Sequence, residues 1–240
     1  TTAPNPGCVL DFTLNAPTSS PSPTPTATPS LTCSVSSADI IIALDRSGSM
    51  NKVIGNKLGL NWEKEAAVSF LNYLQSQPAA TQNNVRVGVV AWAGVNSLVT
   101  SLPLTNDLSS VISWVNAIGG SSQDYYSCID CALDKSASLL TTPSHRRYVI
   151  LMSDGVGNRI VSSFPQNTQS SCTSPTPPSC TNVQPLELQC ERANTNAITR
   201  ANTLKAQGLI FHVVGYGSRV APITMNEVTL EGISSGTDFY

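Results

Sequence analysis

Charge is what this sequence has least of. Only 12% of its 240 residues are Asp, Glu, Lys or Arg, 13 basic against 15 acidic, about half of the roughly 25% usual in soluble domains. The basic residues are scattered, and Arg146 with Arg147 is the one adjacent pair. Nucleic-acid binding needs clustered cations to displace the counterions of the phosphates, so this pattern excludes nucleic acid as a partner. Long apolar runs are missing too. Stretches such as residues 40–44 are strand-sized, far short of the roughly 20 residues of a membrane-spanning helix, so no direct membrane insertion is expected in this segment. The two histidines, His145 and His212, are too few and too separated for a histidine-based metal site. No Gly-x-Ser-x-Gly elbow, no P-loop and no Gly-x-Gly-x-x-Gly after a strand occurs, so no catalytic machinery is visible and a non-enzyme is expected. There is no Asn-x-Ser/Thr acceptor for N-glycosylation.

Cysteine, by contrast, is present seven times, mostly in surroundings rich in Ser, Pro and Thr. That usage predicts disulfides and an oxidising, extracellular location, secreted or attached to a cell surface, with one cysteine left over. The chain opens on Thr1 without a charged and apolar leader, which reads as a processed or trimmed chain.

The organisation along the chain is uneven. The first 38 residues carry one charge, Asp11, and seven prolines between Pro4 and Pro29. Residues 1–15 form a tail in which 9–15 (VLDFTLN) alternate apolar and polar with the period of one candidate strand. Residues 16–31 are a Pro/Thr/Ser linker that cannot bury a core and favours extended conformation. Cys8 and Cys33 flank strand and linker and could be joined. From residue 32 to 240 apolar runs alternate with helical periods. Strands are expected at 39–44, 85–93, 97–104, 148–152 and 209–214, with helices at 58–75, 107–118, 129–140 and 191–206. The short turn at Gly94 implies a hairpin between the second and third strands. The remaining alternation predicts an α/β fold that is doubly wound: a mostly parallel central sheet, helices on both faces and one antiparallel edge strand. A Cys/Pro-rich insertion over 155–190 interrupts it, and a loop of that length is usually functional or disordered.

The sharpest local signal is Asp45-Arg46-Ser47-Gly48-Ser49, directly after the apolar run 40–44. Ligand sites of open α/β sheets lie at the carboxyl ends of the strands, and Asp154 of Ser153-Asp154-Gly155 stands in the same relation to another apolar run. Two strand-end carboxylates with hydroxyls make an all-oxygen cluster, which suits a hard divalent cation, Mg²⁺ first and Ca²⁺ or Mn²⁺ next. Neutral Ser ligands leave the ion electrophilic, so a partner's acidic oxygen could complete its shell.

These residues resemble the von Willebrand factor A-type domain. The resemblance rests on DIIIALDRSGSM, the following amphipathic helix, VRVGVVAWA, ALDKS, VILMSDG and IFHVVGYG, and it covers roughly residues 38–240. It implies a metal-ion-dependent adhesion site, with Asp45, Ser47 and Ser49 from the first loop and Asp154 from the third. The second loop departs from the family pattern, because Ser127 stands where the family has Thr, and Ser121 or Ser122 are alternatives. The family's final helix has no counterpart before Tyr240. Cys128 and Cys131 frame the second loop as a C-x-x-C; a structural disulfide, a redox pair and a zinc site with Cys172 and Cys180 all remain open. The function implied is metal-dependent adhesion to a protein or glycan ligand that offers a carboxylate. The rival is a structural subunit of a surface filament or pilus, partnered by other subunits, whose metal only stabilises the fold.

Overall fold

The computed structural model describes residues 37–94, 99–120, 127–157, 184–217 and 225–236, and over 184–192 the backbone alone. The candidate tail strand, the linker, most of the insertion, Ser121, Ser122, Cys8, Cys33, Cys172 and Cys180 lie outside these residues.

The centre of the fold is β1 (Ala38–Asp45), whose run of Ile40, Ile41, Ile42, Ala43 and Leu44 is buried on both faces. β-Branched residues stack well on a pleated surface, and an uninterrupted apolar run is what a strand covered on both sides requires. β4 (Val85–Trp92) pairs with β1 in parallel on one side and β6 (Arg146–Ser153) on the other. β7 (Leu209–Gly215) extends the sheet in parallel beyond β6. β5 (Thr100–Thr105) closes the other edge antiparallel to β4, giving the order β5-β4-β1-β6-β7. The expected sheet, including its one antiparallel edge strand, is the sheet found.

Alternate residues of β1 feed two cores. Ile41 and Ala43 pack with α4 (Ile129–Leu139), α5 (Gln184–Ala206) and α6 (Glu227–Ile233), while Ile40, Ile42 and Leu44 pack with α1 (Gly59–Gln75) and α3 (Leu108–Ala117). Helices therefore cover both faces, the doubly wound arrangement that the alternation predicts. Asp107 caps α3, its carboxylate accepting from the Ser110 amide at 3.1 Å. Gly208 ends α5 with a φ of 85°.

Three short elements had no periodicity long enough to announce them. A hairpin of β2 (Val53–Ile54) and β3 (Lys57–Leu58) turns at Gly55, where φ is 67°. The five-residue α2 (Ala79–Asn83) precedes β4, and the seven-residue α6 follows β7. Helix α5 also starts earlier than its apolar pattern, at Gln184 rather than 191.

At the amino edge of the sheet, fully buried Asp39 is held by Arg86 and His145. Arg86 Nε donates to Oδ1 at 2.8 Å and Nη2 to Oδ2 at 2.7 Å, and His145 Nδ1 lies 2.9 Å from Oδ1. Burial pushes the Asp39 carboxyl up, but the Arg86 and His145 interactions outweigh it and hold it below its ordinary value. A depressed carboxylate contributes stability above its unfolded pKa and loses it as pH falls through the folded one. Arg86→Ala leaves a buried carboxylate short of its main partner, which should cost about 2–3 kcal/mol near pH 7, below the 3–5 of a fully buried pair because Arg86 is partly exposed. Urea denaturation at pH 7 and below pH 4 should show the gap between variant and wild type narrowing at the acid end.

Candidate functional site

Strand order reverses direction at β1. From it the chain moves through α1 to β4 on one side, and later through α4 to β6 on the other. Such a switch point leaves a crevice at the carboxyl edge where the exiting loops cannot fill the gap. Asp45 ends β1 there, and Ser153 with Asp154 ends β6 beside it.

The four loops around this crevice are bound to one another by short polar contacts. Asp45 Oδ1 accepts the Ser47 amide at 2.9 Å. Its Oδ2 accepts the Ser127 hydroxyl at 3.2 Å and the Ser153 hydroxyl at 2.7 Å. Ser47 Oγ and Ser49 Oγ lie 3.0 Å apart. The Ser127 position is fixed from behind: fully buried Trp92 donates its indole N–H to Ser127 Oγ at 3.2 Å, and the Cys128 amide donates to Ala93 O at 3.2 Å. Asp154 Oδ1 accepts the Val156 amide at 3.0 Å, whereas its Oδ2 is buried with no hydrogen-bond partner among the described residues. Gly155, with φ at 75°, makes the turn that brings this amide round.

All five residues singled out in the sequence, Asp45, Ser47, Ser49, Ser127 and Asp154, thus meet at one edge, and all but Ser49 are buried. Burial pushes the Asp45 carboxyl up, with the Ser47, Ser153 and Ser127 hydrogen bonds opposing it. Asp154 is pushed up to about 7 by burial and then by the charge of Asp45; the Ser49 hydroxyl, the Val156 amide and the charge of Lys52 pull the other way. Two buried carboxylates whose charges act on one another are a poor arrangement for a resting core and a good one for a hard divalent cation.

Two residues were not foreseen. Ser153 belongs to the constellation through its bond to Asp45, and its place beside Asp154 was the available signal. Glu63, fully buried on α1, had none, since it sits inside an amphipathic helix pattern. Behind Ser127 the sulfurs of Cys128 and Cys131 are bonded to each other. These two cysteines and Asp130 form a tight group with ligand atoms within 4.8 Å, but bonded sulfurs offer no thiolate to a metal or to redox exchange from the reduced side.

Known proteins share this fold. Residues 40–156 match the family described as von Willebrand factor type A domain. The vWF domain of the type V pili tip protein Mfa5 from Porphyromonas gingivalis superposes with a TM-score of 0.63 at 15% identity, covering 85% of this chain and 88% of that one. The pilus adhesin SpaC from Lactobacillus rhamnosus GG superposes with a TM-score of 0.61 at 18% identity; 86% of this chain is covered but only 28% of SpaC. Proximal thread matrix protein 1 from the mussel byssus, with a zinc-occupied MIDAS motif, gives 0.54 at 17% identity over 85% of this chain and 43% of its own. A search of curated proteins finds no match. No helix among the described residues is long and apolar enough to cross a membrane.

Proposed function

We propose, from the premise that this chain carries a von Willebrand factor A-type domain over residues 40–156, that it is a non-enzymatic, extracellular adhesion or ligand-binding domain working through a divalent cation. The observation that carries this reading is the buried pair Asp45 and Asp154 with Ser47, Ser49 and Ser127 around it, together with an Asp154 Oδ2 that has no hydrogen-bond partner among the described residues. An orphaned buried carboxylate oxygen costs free energy, and a cation at that point would supply the missing interaction. The donor set is all oxygen, which fits Mg²⁺ first and Ca²⁺ or Mn²⁺ next. The mussel protein's own motif is zinc-occupied, which supports a divalent cation without choosing the ion.

Asp45 is pinned by three donors and serves as the fixed anchor. Ser47, Ser49 and Ser127 bring hydroxyl oxygens that do not cancel the ion's charge. When bound, the cation would act as a Lewis acid able to take a carboxylate from a protein or glycan partner. Relatives named as a pilus adhesin and a pilus tip protein support a role at a cell surface or filament tip.

Titration calorimetry with Mg²⁺, Mn²⁺ and Ca²⁺ tests the site directly. One of the three ions should bind the wild type with 1:1 stoichiometry, and Asp45→Asn should weaken it at least tenfold; wild type without heat or saturation for any ion sinks the reading. The second reading, a filament subunit whose ion only stabilises the fold, draws on the same pilus relatives. Deletion of residues 1–30 separates the two, because lost self-assembly with intact ion binding would favour the filament.

A further inference from the structure

The loop that carries Ser127 enters α4 through a pair of residues that the cation reading leaves without a role. Cys128 is the N-cap of α4, and Cys131 is its third helical residue. An N-cap ordinarily offers a side-chain oxygen to an amide of the first turn. Asp107 does so on α3, and on α6 Asn226 accepts the Thr229 amide at 3.1 Å. Cys128 makes no such bond. Its sulfur is joined instead to that of Cys131, so the two positions that a capping box ties by hydrogen bonds are here tied covalently. Both cysteines are buried, as are Ile129, Ala132 and Leu133 of the same helix.

This bond sits one residue from a proposed ligand. Ser127 Oγ donates to Asp45 Oδ2 at 3.2 Å and accepts the Trp92 indole N–H at 3.2 Å. The backbone that carries this hydroxyl is set at Cys128. Its amide donates to Ala93 O at 3.2 Å, just past the end of β4, and its carbonyl accepts the Ala132 amide at 3.3 Å. Its φ of −108° and ψ of 81° are not helical, so the chain changes direction there. A helix entry without a capping side chain is less well held, and the link to Cys131 supplies what the missing cap would.

We propose that the Cys128–Cys131 disulfide is a positioning element of the cation site: it fixes the turn into α4, holds the Ser127 hydroxyl against Asp45, and on reduction loosens the ion. This rests on the cation reading above and deepens it. With the bond open, an arriving ion has to order the Ser127–Cys128 turn itself, which costs conformational entropy. The coupling is reciprocal: the factor by which reduction weakens the ion is the factor by which the bound ion disfavours reduction. The reductant is a dithiol. Its two thiols deliver two electrons and two protons, the protein S–S bond becomes the thiols of Cys128 and Cys131, and the reagent closes to a cyclic disulfide. Because both cysteines are buried, the exchange passes through a local opening of the turn, which a bound ion opposes.

Dithiothreitol buffers of graded reduced-to-oxidised ratio test this in EDTA and in whichever of Mg²⁺, Mn²⁺ and Ca²⁺ binds, with Cys128 and Cys131 read by alkylation and peptide mass mapping. Calorimetry supplies the affinities. The reduced protein should bind the ion about tenfold more weakly, the low end of the range for groups that support a metal site. Cys128→Ala with Cys131→Ala, which needs no reductant and leaves the remaining cysteines alone, should show the same loss. The saturating ion should raise the reagent ratio at half-reduction by that same factor. Equal half-reduction points with and without the ion overturn the proposal, and so does unchanged affinity in the folded double variant; either leaves the cation site standing. Loss of the far-UV circular dichroism of the double variant also overturns it, by making the bond a support of the whole fold. No ion binding by the oxidised wild type overturns this proposal and the proposed function together.

Discussion

Transferring the protein from EDTA into millimolar Mg²⁺, Mn²⁺ or Ca²⁺ should raise its melting temperature by several degrees, and Asp45→Ala with Asp154→Ala should abolish the response. An ion that binds only the folded state stabilises it by mass action, by about 2.7 kcal/mol at a hundredfold excess over the dissociation constant. For a domain of this size that corresponds to roughly 5–10 °C. The size of the response follows from the site. Asp45 and Asp154 are both buried, and each disfavours ionisation of the other. A divalent ion turns that repulsion into attraction, while the Ser127 and Ser153 hydroxyls already hold Asp45 in place, so little ordering cost is left for binding. The unfolded chain scatters these residues over more than a hundred positions and offers no comparable site. In EDTA the double variant should lose less than two core substitutions would normally cost, since it also removes two mutually repelling acids. Differential scanning fluorimetry across the three ions reads both effects. Equal shifts in wild type and double variant would mean that the ion acts elsewhere.

Gly155→Ala should be the most damaging single change in the site that leaves every proposed ligand intact. Its φ of 75° lies in the left-handed region, which costs an L-residue about 1–2 kcal/mol. An added Cβ would stand 2.7 Å from the backbone oxygen of Asn226 and 2.7 Å from Leu230 Cγ. Neither neighbour can yield cheaply. Asn226 O accepts from the Leu230 amide and its N–H donates to Asp154 O at 2.8 Å, while Leu230 is fully buried in the core. Overpacking of this kind adds about 1–3 kcal/mol, so a total of about 2–5 kcal/mol is expected by urea denaturation. Ion affinity should fall with it, because the Gly155 turn brings the Val156 amide to Asp154 Oδ1. Gly119→Ala is the matched control: nothing lies within 4 Å of its added Cβ, and a change within about 0.5 kcal/mol is expected.

Much of this could be read before any coordinates. The run at residues 40–44 is apolar at every position because β1 is covered on both faces, and the alternation of such runs with helical periods specifies a doubly wound sheet. Asp45, Ser47, Ser49 and Asp154 were legible because strand ends are where such a fold leaves its crevice. Ser127 was legible only by likeness, with Ser121 and Ser122 competing, and its contact with Asp45 spans 82 positions of chain. The hairpin at Val53–Leu58 and helix α6 were too short for a periodic signal.

What the sequence by itself determined is therefore the periodic part: the layers, the order of strands and helices, and the acids that end two buried strands. These are local patterns, repeated every two or 3.6 residues, and local patterns survive in one dimension. Tertiary structure alone decided which groups share a buried volume. It set Ser153 against Asp45, Arg86 and His145 around Asp39, and Glu63 inside the protein, within reach of the charges of Asp45 and Asp154, instead of in solvent. A helical wheel can say that position 63 faces inward, but only the packing of α1 against the sheet brings it within reach of other buried charges. Burial and proximity are properties of the assembled chain, and they turn an ordinary glutamate into one that needs a partner.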